Sequence, residues 1–278
     1  MKNYFFLLLV LVAFGCTKQK QPQTFMTYNL RYNNPGDGIN RWDARKANVV
    51  DLITKYSPDV FGTQEGLNDQ VTYLDSALTD YSYVGVGRDD GMQKGEYCAV
   101  FYKPAKFEVI KQATFWLSET PEEISVGWDA VLERICTYLL LENKQSGERF
   151  YVFNTHFDHI GEQARQNSSK LIYSKITESN PENYPCILMG DLNLTPETTA
   201  IQYLSKVLDE IKSLAGENCS GPQGSFNGFK HTEPVTDRID YIFISKGDGK
   251  VNQFKIIDDQ VEGRYPSDHL PVFVEVML

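Results

Sequence analysis

The chain has 278 residues, 41% hydrophobic and 13% aromatic, which suits one large domain with a sizeable core and excludes a disordered chain. Its formal net charge of −10 lacks the general basic footprint of a duplex-DNA binder. Cys98, Cys136, Cys186 and Cys219 are widely spaced with no C-x-x-C, so no zinc-site pattern is present, and the first three sit in apolar runs that read as buried thiols.

The N-terminus reads as a leader. Lys2 precedes a short apolar run over residues 4–14, a signal-peptide pattern over residues 1–15 that is too short to span a bilayer comfortably. Ala13-Phe14-Gly15-Cys16 resembles a bacterial lipobox, which implies acylation of Cys16, and the polar residues 16–23 then form a tether. The expectation is an exported protein, lipid-anchored in the bacterial cell envelope and touching the membrane through that anchor alone. Residues 24–278 form the domain.

Within it, residues 25–30 read as a strand, 33–40 as an Asn/Pro/Gly-rich loop and 41–56 as a helix closed by Ser57-Pro58. Residues 60–65 form a strand ending on an acid, and Leu67, Val71, Leu74 and Leu78 mark one apolar helix face. Strands at 81–86 and 97–102 flank a Gly-rich, charged loop over 87–95. Residues 134–141 and 150–155 pair around a turn at 143–147, and 162–178 are helical. The apolar run 186–189 is a buried strand, followed by a helix over 197–207 and a polar loop over 216–234. Strands at 239–245, 253–257 and 271–276 close the chain. Interleaved strands and helices favour a layered α/β sandwich.

Several of these strands begin or end on polar residues of one kind. Asn29 ends the first and Glu65 the second. His156, Asp158 and His159 follow the strand 150–155. Asp191 and Asn193 stand two apart at the mouth of the strand 186–189, a spacing that points both to one face of extended backbone. Asp237 and Asp240 open a strand, and Asp268 and His269 precede the last. Glu65, Asp268, Asn29 and Asp191 are hard oxygen groups suited to Mg²⁺ or Mn²⁺. Histidines beside acids suit proton transfer or phosphate stabilisation. Together these are the parts of a metal-assisted phosphate-ester hydrolase.

The ordered pieces Tyr28-Asn29-Leu30, Gln64-Glu65, Asn154-Thr155-His156, Gly190-Asp191-Leu192-Asn193, Asp237-Arg238-Ile239-Asp240-Tyr241 and Ser267-Asp268-His269-Leu270-Pro271 resemble the endonuclease/exonuclease/phosphatase superfamily. The resemblance implies a DNase I-like four-layer α/β sandwich, with two packed mixed sheets flanked by helices. It implies Glu65 as the principal metal ligand, with Asn29 and Asp268 beside the metal. It implies His156, Asp191, Asn193 and His269 as catalytic groups, with Asp240, or secondarily Asp237, pairing His269. Whether Asp191 or a histidine takes the water's proton is open at this stage.

Arg88 in the charged loop, Trp128, Asp158, His159 and Asp237 are candidate substrate contacts, and the aromatics around 115–121 with Trp128 read either as stacking surfaces for a base or sugar or as a hydrophobic clasp over the sandwich edge. The expected partner is a phosphate-ester substrate, a small molecule or short nucleic acid rather than long duplex DNA, with a secreted nuclease acting on DNA or RNA as the alternative. No stable protein partner is implied, and the chain is expected to be a monomer. A glycosidase with paired carboxylates is a rival that needs no divalent metal. A binding lipoprotein on an inactive scaffold is another.

Overall fold

The computed structural model describes residues 21–278. The leader over 1–15 and the lipidation site Cys16 lie outside the described residues. So does most of the tether. Gln23, grouped above with the tether, is already a buried residue of the first strand.

In chain order the elements are β1 (Gln23–Asn29), α1 (Trp42–Tyr56), β2 (Val60–Gln64), α2 (Asn68–Ala77), β3 (Ser82–Val84), β4 (Val100–Tyr102) and β5 (Phe107–Trp116). Then follow β6 (Ile135–Asn143), β7 (Arg149–His156), α3 (Glu162–Ser179), β8 (Cys186–Asp191), α4 (Thr199–Val207) and β9 (Leu208–Glu210). The last are α5 (Ile211–Ala215), β10 (Cys219–Ser220), β11 (Asp240–Ser245), β12 (Lys250–Ile256) and β13 (Val272–Met277). Seven strands form one sheet in the order β10-β12-β13-β1-β2-β4-β3, and six form a second in the order β5-β6-β7-β8-β11-β9.

The sheets pack face to face, with Phe25, Val60, Leu139, Val152, Ile187, Ile242 and Val274 in the shared core. The other face of the seven-stranded sheet is covered by α1 and α2 through Val49, Ile53, Val71 and Leu74. The other face of the six-stranded sheet is covered by α3 and α4 through Ile172, Ile176, Ile201 and Leu204. This is the expected four-layer α/β sandwich, each apolar helix stripe burying one sheet face.

Polar bolts join the layers. Asn154 of β7 crosses between the sheets, donating to the carbonyls of Thr63 and Ala99 at 2.9 Å each and accepting from Gln64 Nε2 at 2.6 Å. The crossing needs Gly62 beneath it, because a Cβ there would stand 2.5 Å from Asn154 Cγ. Asp129 accepts from the N–H groups of Gln163 and Ala164 and so caps α3 from a distant loop.

Three readings of the sequence are corrected. β5 was not anticipated. As an edge strand with mostly exposed residues and a bulge between Val109 and Lys111, it breaks the two-residue alternation. Its last residues, Phe115 and Trp116, are buried, which fits the hydrophobic clasp and not the stacking surface. The expected loop over 33–40 contains a 3₁₀ helix at Pro35–Asn40, and that over 216–234 opens with a short 3₁₀ turn and β10.

The topology gathers one end of both sheets. β1 runs parallel to β2, bringing Asn29 opposite Gln64 and next to Glu65. β7 runs parallel to β8, bringing His156 opposite Asp191. β11 is antiparallel to β8, so its first residue, Asp240, faces Asp191. β13 is antiparallel to β1, so the residues before it, Asp268 and His269, reach the same end.

Candidate active site

A cavity of about 540 Å³ opens at that end. Arg31, Tyr32, Glu65, Glu96, Leu132, Arg134, His156, His159, Asp191, Asn193, Phe226, Ile239, Asp268 and His269 line it.

Asp191 is its centre. It ends β8 just after Gly190, where φ is 150° and a Cβ would meet the Thr155 carbonyl oxygen at 2.0 Å. Only glycine lets β7 and β8 approach this closely beside the acid. Asp191 Oδ1 accepts the Asn193 N–H at 2.9 Å, and Oδ2 accepts Asn29 Nδ2 at 2.9 Å. The Nε2 atoms of His156, at the end of β7, and of His269, in the loop before β13, stand 3.6 and 3.7 Å from Oδ2. Asn193 and Glu65 both adopt left-handed backbone, φ 50° and 61°, unfavourable conformations of the kind that gather at functional sites.

The His269 Nδ1 atom lies 2.9 Å from Asp240 Oδ2, both groups buried. Burial alone would depress the imidazole. The charges of Asp240 and Asp191 outweigh it and raise His269 well above its ordinary value. Asp237 is exposed and bonded to Thr236, so it is not the histidine's partner, and the choice between the two acids falls on Asp240.

His156 is framed differently. Its Nδ1 faces Arg134 Nη1 at 3.2 Å and Glu96 Oε2 at 3.6 Å, while Nε2 faces Asn193 Nδ2 at 3.0 Å. Burial works against ionising Glu96, yet the His156 hydrogen bond and the Arg88 and Arg134 charges hold its carboxyl down to about 2. Arg134 also reaches Asp158 at 3.3 Å and His159 Nδ1 at 2.9 Å.

Glu65 accepts Asn29 Nδ2 at 3.0 Å and the Tyr32 N–H at 3.1 Å. Burial raises the Asp268 carboxyl to about 6, and the Glu65 charge adds to the rise against the pull of His269, Arg31 and Arg45. Two carboxylates that resist joint ionisation form a donor set that a divalent cation relieves. Glu65, Asp191 and His269 each present a ligand atom within 4.8 Å of the others. His269 turns Nδ1 to Asp240 and Nε2 toward Asp191, so the cluster offers two carboxylates and one imidazole nitrogen to a divalent cation.

Four expected contacts lie elsewhere. Asn29 stays at the centre, its oxygen accepting the Arg31 N–H at 2.9 Å and its NH₂ reaching both Glu65 and Asp191, so it links the two carboxylates. Arg88 is buried behind the cavity, bound to Glu96 at 2.7 Å, with its carbonyl accepting Trp116 Nε1. Its loop is laced by Asp90, which accepts the Met92 and Lys94 N–H groups, so it is not the open charged loop expected. Asp158 is spent on Arg134 and on the Ile160 and Gly161 N–H groups ahead of α3. Trp128 and Asp237 are absent from the cavity wall, whereas His159 is on it.

Arg31, Glu96, Arg134 and Phe226 were not singled out from the sequence. Arg134 stands at the mouth of the apolar strand β6, the same signal that marks Asp191. Nothing in the sequence marks Glu96 or Phe226, which arrive on loops. The Phe226 ring meets His269 edge-on with centroids 5.0 Å apart.

The sequence pattern of the Endonuclease/Exonuclease/phosphatase family matches residues 26–269. The mannosyl-6-phosphatase of Bacteroides thetaiotaomicron VPI-5482 is 38% identical, with a TM-score of 0.86 over 92% of this chain and 100% of that one. An endonuclease/exonuclease/phosphatase family protein of Bacteroides thetaiotaomicron is also 38% identical, with a TM-score of 0.87 over 93% of this chain and 98% of that one. The CCR4-Not complex 3'-5'-exoribonuclease subunit Ccr4 of Mycosarcoma maydis is 24% identical over 84% of this chain, which spans 46% of that protein.

Proposed function

Because the chain belongs to the Endonuclease/Exonuclease/phosphatase family, whose members hydrolyse phosphate esters, we propose that it is a divalent-metal-dependent phosphoesterase acting on a small phosphorylated molecule such as a sugar phosphate. One observation carries this reading: Glu65, Asp191, Asn193 and the Asp240–His269 pair converge from both sheets on one cavity of about 540 Å³. The small cavity, the acidic chain and the likeness to a mannosyl-6-phosphatase support a small substrate over long nucleic acid.

Asp191, its carboxylate fixed by Asn193 and Asn29, orients the attacking water and takes its proton. His269, kept as an imidazolium by Asp240, donates Nε2–H to a phosphoryl oxygen as charge develops. Asn193, which reaches His156 Nε2 and the Phe157 carbonyl at 3.0 Å each, fixes the His156 ring on the opposite side of the phosphoryl position. Glu65, with Asp268 alongside, would hold Mg²⁺ or Mn²⁺, which when bound would neutralise phosphoryl charge. As the water oxygen bonds phosphorus the P–O bond to the alcohol breaks, and the leaving oxygen takes a proton from solvent water at the mouth lined by Tyr32, Leu132, Phe226 and Ile239. Acylation at Cys16, an envelope location and a monomeric state belong to the same proposal. Metabolic labelling with a fatty-acid probe, lost in Cys16→Ala, checks the anchor.

The test is hydrolysis of sugar phosphates, inositol phosphates, sphingomyelin, oligonucleotides, RNA and plasmid DNA with Mg²⁺ or Mn²⁺, each repeated in EDTA. Metal-dependent turnover of small esters, abolished in Glu65→Gln with the protein still folded, is expected. EDTA-resistant activity, or a Glu65→Gln variant near wild type, refutes the proposal.

A further inference from the structure

We propose that Arg31 is the specificity-determining cation of this cavity. It binds the outer oxygens of a terminal, doubly charged phosphate and thereby favours monoesters over diesters. The inference rests on the phosphoesterase reading above and adds to it the ester class.

Arg31 follows β1 in left-handed backbone, φ 54°, an unfavourable conformation for a residue with a long side chain. Three backbone contacts hold it there. Its N–H donates to Asn29 Oδ1 at 2.9 Å, and its carbonyl accepts Arg45 Nη2 at 2.6 Å and Gln70 Nε2 at 2.9 Å. Its Nε and Nη2 atoms form a two-pronged pair with Asp37 at 2.9 and 3.0 Å, over the Tyr32 ring. Asp37 comes from the 3₁₀ turn at Pro35–Asn40, whose neighbour Asn33 is itself tied to Asp69 and Gln70 of α2. A surface arginine needs none of this scaffolding. The side chain is held in one place before anything binds.

That place is the cavity wall beside the metal-binding acids. Nε is 3.8 Å from Asp268 Oδ2 and Nη1 is 4.0 Å from Glu65 Oε2. Asp37 occupies one edge of the guanidinium, and among the described hydrogen bonds Nη1 makes none. Of the five guanidinium N–H groups three therefore remain for a ligand, two on Nη1 and one on Nη2. Arg134, the other guanidinium on the wall, is tied at all three nitrogens to Asp158, His156 and His159.

Charge then chooses the ester. A phosphodiester carries one negative charge, whereas a monoester at neutral pH carries nearly two because its second ionisation lies at a pKa of about 6. The additional charge sits on outer oxygens that a diester replaces with a carbon substituent. A fixed planar cation facing the phosphoryl position matches the monoester's outer oxygens.

The matched substrates p-nitrophenyl phosphate and bis(p-nitrophenyl) phosphate share a leaving group and separate the classes. In Mg²⁺, Arg31→Gln is expected to lower kcat/KM for the monoester roughly 10- to 100-fold, and the monoester-to-diester ratio at least about tenfold, as for loss of a charge-assisted hydrogen bond. Asp37→Asn should lower the same ratio less, mainly through KM, and Arg31→Lys should restore part of it. A ratio unchanged in Arg31→Gln overturns the proposal. Calorimetric titration of the folded, Mg²⁺-loaded proteins with inorganic phosphate gives the independent reading. Affinity about tenfold weaker in Arg31→Gln supports it, and equal affinity overturns it. If the wild type hydrolyses neither ester, the phosphoesterase reading fails, and phosphate binding still decides the role of Arg31.

Discussion

Replacing Asp240 by Asn tests the site where stability and chemistry meet. The Asp240 and His269 side chains are buried 2.9 Å apart, and Asp240 is fixed by a hydrogen bond from its N–H to Ser225 Oγ at 3.1 Å. At an effective dielectric of about 20, unit charges that close attract by about 6 kcal/mol, much of it offset by desolvation. Removing one charge from a buried pair costs about 3–5 kcal/mol, and an amide that still bonds the imidazole keeps the loss near the lower end. For a domain of this size that is a drop in Tm of roughly 6–12 °C. The chemical loss is larger, because a neutral imidazole replaces a charged donor. A fall in kcat on the order of 10²–10⁴ is expected by comparison with other acid–histidine pairs. Scanning calorimetry and turnover of p-nitrophenyl phosphate read the two effects. Asp237→Asn is the control, exposed and three residues away, and it should shift stability by no more than about 0.5 kcal/mol. An Asp240→Asn enzyme within about tenfold of wild type, or a greater loss in Asp237→Asn, refutes the reasoning.

Three further outcomes are expected. Asp158→Ala strands the buried Arg134 charge and the N–H groups of Ile160 and Gly161, so it should destabilise the fold by about 3–5 kcal/mol in urea titration; a shift under about 1 kcal/mol contradicts this. Gly62→Ala forces a Cβ to within 2.5 Å of Asn154 Cγ and 2.9 Å of Met189 Cε, and should cost about 1–3 kcal/mol by overpacking; a neutral variant would mean the sheets part freely there. Burial pushes the Cys98 thiol up to about 12 and raises Cys136 and Cys186 as well, so in the native domain at pH 8 a thiol reagent should modify Cys219 alone and reach the others only in denaturant; rapid native labelling of a second cysteine would count against the packing.

What the sequence made legible follows from how its signals arise. Central strands such as β1, β7 and β8 are apolar runs bounded by polar residues, and their termini carry the site's acids, amides and histidines. The edge strand β5 pairs on one side only and shows no such run. Asp191 and Asn193 were legible because a charge at the mouth of a buried strand has no packing reason. Arg88 and Asp158 carry the same residue types, yet their charges are spent on Glu96 and Arg134, partners far away in the chain. Glu96 was hidden for the converse reason, because nothing in its loop foretells that it packs against His156. Sequence marks which residues carry chemistry, and long-range pairing decides which of them meet the cavity.

The direction of β1 has a practical consequence. From Gln23 to Asn29 the strand covers about 20 Å, from a hollow shared by Gln21 and Leu278 to the cavity mouth. β13 runs the opposite way, from beside His269 to that same hollow. Both ends of the described chain therefore emerge at the pole opposite the cavity. A bead or a fusion partner attached at either end of the described chain leaves the mouth facing the surrounding solution, and an immobilised enzyme should keep the turnover of the free one.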